Sequence, residues 1–389
     1  MKQSSDSSSA VLVIGGGVSG LTTSLVLARR GHRVRLLAAS SAEQTVSTVA
    51  GALWEFPPAV CGQHGNPLSL SRSKAWCVSS YQEFERIASQ GPQTGVRMVE
   101  ADFYFTSPVK TDRVERGKLA ELTSLSERGV LRELRILSDD ELAAVPERFG
   151  VVEGYRIVVP AIDTPRYIPW LRRKAVAAGV ELVRSGCSGP AQRVTGPLIP
   201  QEARLRRAFG VDAIVNCAGM GAAELAGATM VPLRGLLWRI PRALFPDGVG
   251  PQRACVMAKS RHAQDMVFVV PRTDEVVLGG LVEPSEYDVS IGKEYEPARQ
   301  MFERCREFLP EWLGPLCLDD PRIQPTVGLR PYRLENVCVA RDYGFNITHN
   351  FGHGGSGFSF SYGCAEEVAD LVESYASPAL TSLHNAAVD

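Results

Sequence analysis

Residues 10–20 read AVLVIGGGVSG, and this stretch decides the fold. A short apolar strand over residues 10–14 runs directly into six residues that fit the pattern G-x-G-x-x-G. Apolar residues at helical spacing follow, Gly31 ends the predicted helix, and residues 34–37 form a second strand. A strand, a glycine turn, a helix and a strand within about 30 residues predict a dinucleotide-binding βαβ unit.

Each glycine of the pattern has a separate physical role. Gly15 permits the tight turn, Gly17 lets the backbone approach a pyrophosphate, and Gly20 lets the helix pack closely on the strand. The helix begins at Val18 and Ser19, where unpaired N–H groups and the positive end of the helix dipole favour phosphate. We therefore expect these five residues to bind the cofactor.

One part of the dinucleotide fingerprint is missing. An Asp or Glu usually follows the second strand and bonds the ribose hydroxyls, but residues 34–41 contain no acid. Ser40 or Ser41 is the expected substitute, with a weaker hydrogen bond. Arg35 is interpreted as a solvent-facing strand residue.

Composition excludes several classes of protein. The chain has 389 residues with 42 Lys and Arg against 43 Asp and Glu, which argues against a nucleic-acid binder or a polybasic membrane-surface protein. The length suits two domains, or one large domain with two lobes. The nine cysteines include no CxxC pair, and Cys61 with His64 lacks a second ligand pair, so we expect no metal site. The N-terminal residues show no signal or membrane segment, so we expect a cytoplasmic protein.

The remaining elements follow from periodicity and from turn residues. A strand at 211–217 is assigned to the nucleotide-binding sheet, and the long stretch 241–265 is interpreted as a lid or binding loop. The other predicted helices are 66–90, 163–178 with Thr164 as N-cap, 295–308 and 361–375, and the other predicted strands are 96–107, 130–137, 180–183, 230–240, 266–270 and 275–278.

The C-terminal part carries the second strong signal. Residues 328–333 read GLRPYR, and residues 349–358 read HNFGHGGSGF before a predicted helix. Four glycines within six residues let the backbone come close to a flat ring or to a carbonyl oxygen. The glycines around His349 and His353 argue against a helical metal pair. The two histidines are interpreted as structural or loop-fixing, with substrate contact as the alternative.

With these motifs the chain resembles the FAD-dependent D-amino-acid oxidase family, within the glycine-oxidase-like flavoproteins. The most specific matches are AGALW at 50–54, GLRP at 328–331 and HNFGHGG at 349–355. The resemblance covers nearly the whole chain in order and is weakest at 90–150.

The resemblance implies an α/β fold with two domains. A Rossmann-like FAD-binding domain would be built from the discontinuous segments 1–60, 155–225 and 325–389. A substrate-binding domain with a mixed, largely antiparallel sheet would be built from 61–154 and 226–324.

The resemblance also implies site residues. Arg330 matches the arginine that binds the substrate carboxylate, and Gly355 matches a carbonyl that accepts the substrate amine. The stretch from Gly51 to Trp54 would lie beside the isoalloxazine ring. A structural ion pair remains the alternative for Arg330. The other expected FAD contacts are Ser47, Thr48, Gly51, Ala52, Leu53, Gly219, Gly352, Gly354, Gly355, Ser356, Gly357, Phe358 and Ser359.

Three positions depart from the family. Phe268 stands where a tyrosine hydroxyl usually contacts the carboxylate, Gln264 aligns with a lid tyrosine, and Ser356 stands where a tyrosine is common beside the glycine loop. We expect all three in a pocket of altered shape and polarity. Arg261 and His262 are interpreted as solvated charges of the lid.

The resemblance implies an FAD-dependent oxidase of amino acids, foremost D-amino acids. A hydride would pass from the α-carbon to flavin N5, the imine would hydrolyse, and O2 would be reduced to H2O2. Two alternatives stay open: the same fold acting on another amine or imino acid in specialised metabolism, and a flavin-binding protein without turnover. The expected partners are a small amine or amino-acid substrate and O2, with no nucleic acid and no membrane, and a homodimer stays open.

Overall fold

Two β-sheets carry the fold, and the computed structural model describes residues 8–39, 45–57, 67–184, 194–257 and 265–374 of the chain. The predictions for Ser40 or Ser41, Gln264, Arg261 with His262, and Cys61 with His64 lie outside these residues.

Fifteen strands are found among the described residues. They are β1 Ala10–Ile14, β2 Arg33–Ala38, β3 Val96–Phe105, β4 Leu134–Ile136, β5 Glu153–Ile162, β6 Glu181–Arg184, β7 Ala213–Asn216, β8 Val231–Pro241, β9 Ala254–Met257, β10 Val267–Pro271, β11 Glu275–Gly279, β12 Glu283–Pro284, β13 Gln324–Tyr332, β14 Cys338–Arg341 and β15 Ile347–Phe351.

The described part of the chain also contains ten α-helices. They are α1 Val18–Arg29, α2 Pro67–Ala88, α3 Arg113–Glu127, α4 Asp139–Ala143, α5 Thr164–Ala177, α6 Glu202–Phe209, α7 Ala222–Ala226, α8 Glu296–Phe308, α9 Pro310–Leu313 and α10 Gly357–Glu373.

The first sheet is built around the predicted βαβ unit. Its order is β14-β15-β7-β1-β2-β6, and its pairs are parallel except for β14 with β15. Every residue of β1 is buried, as expected for a central strand of a parallel sheet that is covered on both faces. Helix α1 packs against α5 and α10, and α10 packs against α2.

The second sheet is mixed and largely antiparallel. Its order is β12-β8-β11-β10-β9-β3-β5-β4, and β13 also pairs with β8. Only the β3–β9 pair of this sheet is parallel among the described residues. Apolar side chains of β8, including Trp238, pack with Met301 and Phe302 of α8 in a core separate from that of the first sheet. The predicted fold class is confirmed.

The predicted domain segments divide differently between the two sheets. The segment from 155 and the segment from 325 were assigned to the cofactor domain, yet β5 and β13 are hydrogen-bonded into the second sheet. Helix α2, assigned to the substrate domain, packs against α10 beside the first sheet. Which sheet a strand joins is decided by pairing with strands far away in the sequence. Local periodicity carries no information about that pairing.

Three local predictions were wrong. The predicted loop 241–265 contains β9, a central strand of the second sheet, because four apolar residues show no diagnostic period. Asp163 occupies the N-cap position of α5, whereas Thr164 is its first helical residue and donates its hydroxyl to the Thr48 carbonyl at 2.7 Å. Helix α10 begins at Gly357, four residues before the predicted start. The prediction was late because glycine has a low helix propensity, which tertiary packing overrides here.

In the part of the chain that the structure describes, no helix combines the length and the apolar character that crossing a membrane requires.

Gly20 tests the backbone contact on which the first sheet depends. A Cβ at Gly20 would lie 1.8 Å from the Gly15 carbonyl oxygen, so we expect Gly20→Ala to destabilise the fold by about 3 kcal/mol or more. The control is Gly117, an exposed glycine inside α3 with open space around its Cβ position. Gly117→Ala should stabilise the protein by about 0.5–1 kcal/mol. Urea unfolding measures both, and equal effects of the two substitutions would contradict the prediction.

Candidate functional site

A cavity of about 480 Å³ lies where the two sheets meet. It opens beyond the C-terminal ends of β1 and β7, the place where parallel α/β sheets bind ligands. Residues of β8 and β13 from the second sheet also line it. The cavity therefore joins the dinucleotide turn to the opposite sheet.

The glycine turn after β1 leaves no room for side chains. Gly15 has a φ of +123°, and a Cβ there would lie 2.2 Å from the Cys217 carbonyl oxygen at the end of β7. A Cβ at Gly17 would lie 3.1 Å from the Ser47 hydroxyl, which accepts a 2.9 Å hydrogen bond from the Val18 N–H. The first turn of α1 contains no acidic residue, so nothing there repels a phosphate. This turn fits the pyrophosphate of a dinucleotide.

The loop over residues 50–54 is held by the second sheet. Ala52 has a φ of +51°, which is uncommon for a residue other than glycine. The Trp54 N–H donates to the Pro160 carbonyl at 2.9 Å, and the Ile162 N–H donates to the Ala52 carbonyl at 2.9 Å, so the loop is fixed to β5. The backbone at Ala50, Gly51 and Ala52 lines the cavity.

Trp54 itself points the other way. Its side chain is 1% exposed, and its indole N–H donates to the Cys77 carbonyl at 2.9 Å. It makes an edge contact with Tyr81 in the core. Its place in the predicted catalytic set therefore has no support from its position.

The C-terminal glycine loop forms the opposite wall of the cavity. Gly352 and Gly354 have φ of +84° and +56°, and the Gly354 N–H donates to the Pro331 carbonyl at 2.8 Å. His353 is buried between them, and its Nε2 bonds Asn350 Oδ1 at 3.0 Å. These bonds join the loop to β13 and β15.

Arg330 reaches the cavity across a glycine of the neighbouring strand. A Cβ at Gly235 of β8 would lie 2.1 Å from Arg330 Nη1, so the guanidinium rests directly on the Gly235 backbone. Arg330 Nη1 also donates to the Leu281 carbonyl at 3.2 Å. Arg330, Gly235 and Leu237 all line the cavity.

Phe268 lies behind the loop rather than on the cavity surface. A Cβ at Gly51 would lie 2.6 Å from Phe268 Cε1, so the ring packs against Gly51. Ser356 is buried at the start of α10, and the Ser359 hydroxyl accepts a 3.2 Å hydrogen bond from the Glu55 N–H.

The structure thus divides the predicted site residues into two groups. The following line the cavity: Arg330, Gly355, Gly15, Gly17, Val18, Ser19, Ser47, Gly51, Ala52, Gly219, Gly354, Gly357 and Phe358. The following described residues are not among those that line it: Trp54, Phe268, Gly20, Thr48, Leu53, Gly352, Ser356 and Ser359.

Sequence reasoning missed several lining residues, among them Val194, Glu224, Gly235 and Leu237. A signal existed for Gly235, because a single glycine inside an apolar strand often marks close approach of another group. Nothing in the local sequence distinguished Glu224, whose carboxylate accepts a 2.6 Å hydrogen bond from the Gly196 N–H.

Residues 10–371 match the model of a protein family described as FAD dependent oxidoreductase. The chain belongs to this family. It is 33% identical over 366 residues to a D-amino-acid oxidase of Streptomyces coelicolor, and this alignment covers 93% of this chain and 96% of that protein. It is 26% identical over 374 residues to a D-aspartate oxidase of Homo sapiens, covering 93% of this chain and 94% of that one.

Solved structures show the same fold. The glycine oxidase of Bacillus cereus superposes with a TM-score of 0.64 at 16% identity, covering 96% of this chain and 97% of that one. An L-α-glycerophosphate oxidase of Mycoplasma pneumoniae, determined with FAD bound, gives a TM-score of 0.64 at 14% identity and covers 94% of each chain. The chain is an FAD-dependent oxidoreductase, and the glycine turn and the α1 N-terminus fit that cofactor.

His353 gives the site a measurable pH dependence. Burial lowers the pKa of His353 from 6.5 to about 4, so the unfolded chain binds a proton that the folded chain rejects between these pH values. The neutral, buried His353 therefore contributes fully to the unfolding free energy above pH 6.5. This contribution is lost as the pH falls from 6.5 through 4. The wild type should lose unfolding free energy when the pH is lowered from 7 to 4.5. We expect His353→Gln to lose roughly 2–3 kcal/mol less over the same range. Urea titrations measure this, and an unchanged acid sensitivity in the variant would refute it.

Proposed function

We propose that the chain is an oxidase of amino acids, foremost of D-amino acids, that deaminates its substrate oxidatively. The observation that carries this proposal is Arg330, a cation resting on Gly235 in the same cavity as the dinucleotide turn. A guanidinium binds a carboxylate through two parallel, charge-assisted hydrogen bonds. The names of the D-amino-acid oxidase and D-aspartate oxidase relatives support the same substrate class.

Bound FAD supplies a two-electron oxidation of the carbon–nitrogen bond. Arg330 binds the substrate carboxylate, and Gly355 offers its carbonyl to the amine. Two contacts on one substrate fix the orientation of the α-carbon between them. Leu237 adds an apolar wall that excludes water.

The substrate amine is proposed to enter neutral, because apart from Arg330 the titratable groups that line the described cavity include no strong base. These groups are Glu224, Cys217 and His353. Burial raises the pKa of the Cys217 thiol to about 12 and lowers that of His353 to about 4, so the thiol stays protonated and the imidazole is a weak base. The Glu224 carboxylate accepts a hydrogen bond from Gly196. A substrate with a free nitrogen lone pair needs none of them as a strong base.

The proposal takes O2 as the electron acceptor, H2O2 as its product and the cytoplasm as the location, and it leaves room for a homodimer. A second candidate is another amine or imino acid. Phe268 favours it, because a phenyl ring packs on Gly51 where the resembled family carries a tyrosine hydroxyl.

The visible spectrum of the purified protein tests the substrate class. We expect a flavin band at about 450 nm that D-amino acids bleach under anaerobic conditions and L-amino acids leave unchanged. A yellow protein that other amines bleach, but no amino acid, would favour the second candidate. A protein that binds FAD and is bleached by no amine would contradict turnover.

Arg330→Leu tests the carboxylate contact. Losing a charge-assisted pair costs about 2–5 kcal/mol, so we expect KM for the bleaching substrate to rise at least about thirtyfold while FAD content stays the same. Arg322→Leu is the matched control, because Arg322 is exposed and pairs with Asp320 at the surface. Loss of FAD in Arg330→Leu, with KM unchanged, would assign Arg330 to the cofactor or to the fold.

A further inference from the structure

Arg272 is a buried cation that the proposed reaction does not use. It follows β10 in the hairpin between β10 and β11 of the second sheet, and its side chain is 2% exposed. Its backbone is fixed: the Arg272 N–H donates to the Glu275 carbonyl at 2.8 Å, and the Arg272 carbonyl accepts from Arg242 Nε at 2.8 Å. A buried charge is costly unless it is paired and hydrogen-bonded, so its contacts show what holds it there.

The guanidinium spans from the hairpin to the cavity loop. Nη1 donates to Glu275 Oε1 at 3.0 Å. Nη2 donates to the Ala50 carbonyl and, at 3.2 Å, to the Gly51 carbonyl. Nε has no hydrogen-bond partner in the described chain. The side chain is thus only partly satisfied, and its contacts lead to Glu275 on one side and to two successive peptide units of the loop on the other.

In each of these two peptide units the N–H lies opposite the carbonyl, and so on the side away from Arg272. The Ala50 carbonyl shares a peptide with the Gly51 N–H, and the Gly51 carbonyl shares one with the Ala52 N–H. All three residues line the cavity, and among the described residues neither N–H donates to a protein acceptor. A cation on a carbonyl polarises the peptide and strengthens its N–H as a donor.

We propose that Arg272 is a positioning residue that fixes and polarises the peptides of Ala50, Gly51 and Ala52 toward the isoalloxazine ring of FAD. The inference rests on the expected place of Gly51 and Ala52 beside that ring, and it is independent of which amine is oxidised. Reduced flavin carries more negative charge than oxidised flavin, so stronger donors and a nearby cation favour the reduced form.

Glu275 and Asp163 are the carboxylates whose charge acts on Arg272, and Glu275 is the one hydrogen-bonded to it, so it limits this effect most directly. Its Oε1 accepts from Arg272 and also from Arg239 Nη2 at 2.8 Å. Arg239 lies on β8, is partly exposed and does not line the cavity. The two arginines therefore share one carboxylate, but only Arg272 contacts the loop, which makes Arg239 a matched control.

The experiment measures the midpoint potential of the FAD-loaded protein by dye-coupled reduction, which needs no substrate, together with the Kd for FAD. We expect Arg272→Met to shift the equilibrium about tenfold toward oxidised flavin, about 30 mV for a two-electron couple, and to weaken FAD binding about tenfold. Arg272→Lys keeps the positive charge but loses the two-pronged guanidinium. Its midpoint potential and its Kd for FAD should lie between those of Arg272→Met and the wild type. Arg239→Met should have the midpoint potential and the Kd for FAD of the wild type.

Glu275→Gln separates electrostatics from loosening of the loop. It keeps an acceptor for Arg272 but removes the counter-charge, so we expect the potential to rise, opposite in sign to Arg272→Met. Equal shifts in Arg272→Met and Arg239→Met, or a potential that falls or stays unchanged in Glu275→Gln, would overturn the inference. Should Arg272→Met fail to fold, Arg272→Lys and Glu275→Gln decide the question. A wild-type chain that takes up no FAD would overturn the cofactor assignment, and the inference with it.

Discussion

The architecture depends on a point where three backbone segments meet without side chains. A Cβ at Gly20 would lie 1.8 Å from the Gly15 carbonyl oxygen, and one at Gly15 would lie 2.2 Å from the Cys217 carbonyl oxygen. The start of α1 is thereby held against the ends of β1 and β7. The N-terminus of α1 faces the cavity for this reason, and the positive end of a helix dipole there favours the phosphates of a dinucleotide.

A second constraint couples this turn to the other sheet. The loop over residues 50–54 is hydrogen-bonded to β5 through Trp54 and Ala52, and to the β10–β11 hairpin through Arg272. The loop consequently cannot shift without the second sheet, and Ser47 just before it accepts the Val18 N–H at the start of α1. The cofactor cradle comes from the first sheet and Arg330 comes from the second, so the proposed oxidation needs this coupling to hold substrate and flavin in register.

The site stores strain and charge that the two cores stabilise. A positive φ at Ala52 and a buried, incompletely paired Arg272 each cost free energy, of the order of 1–3 kcal/mol for backbone strain alone. Such features persist where the surroundings over-determine them, and they cluster at sites of function. The apolar packing of β1 and α1 on one side and of β8 and α8 on the other supplies the opposing stabilisation.

The sequence by itself determined the βαβ unit, the glycine-rich approach to α10, the family and Arg330, because these signals depend on residues close together in the chain. The tertiary structure alone decided that β9 is a central strand, that β5 and β13 join the second sheet, and that Gly235 supports Arg330. It also turned Trp54 into the core while Ala50, Gly51 and Ala52 of the same loop line the cavity. Strand partners and side-chain directions follow from contacts between residues far apart in sequence, and no local pattern of hydrophobicity or turn residues encodes them.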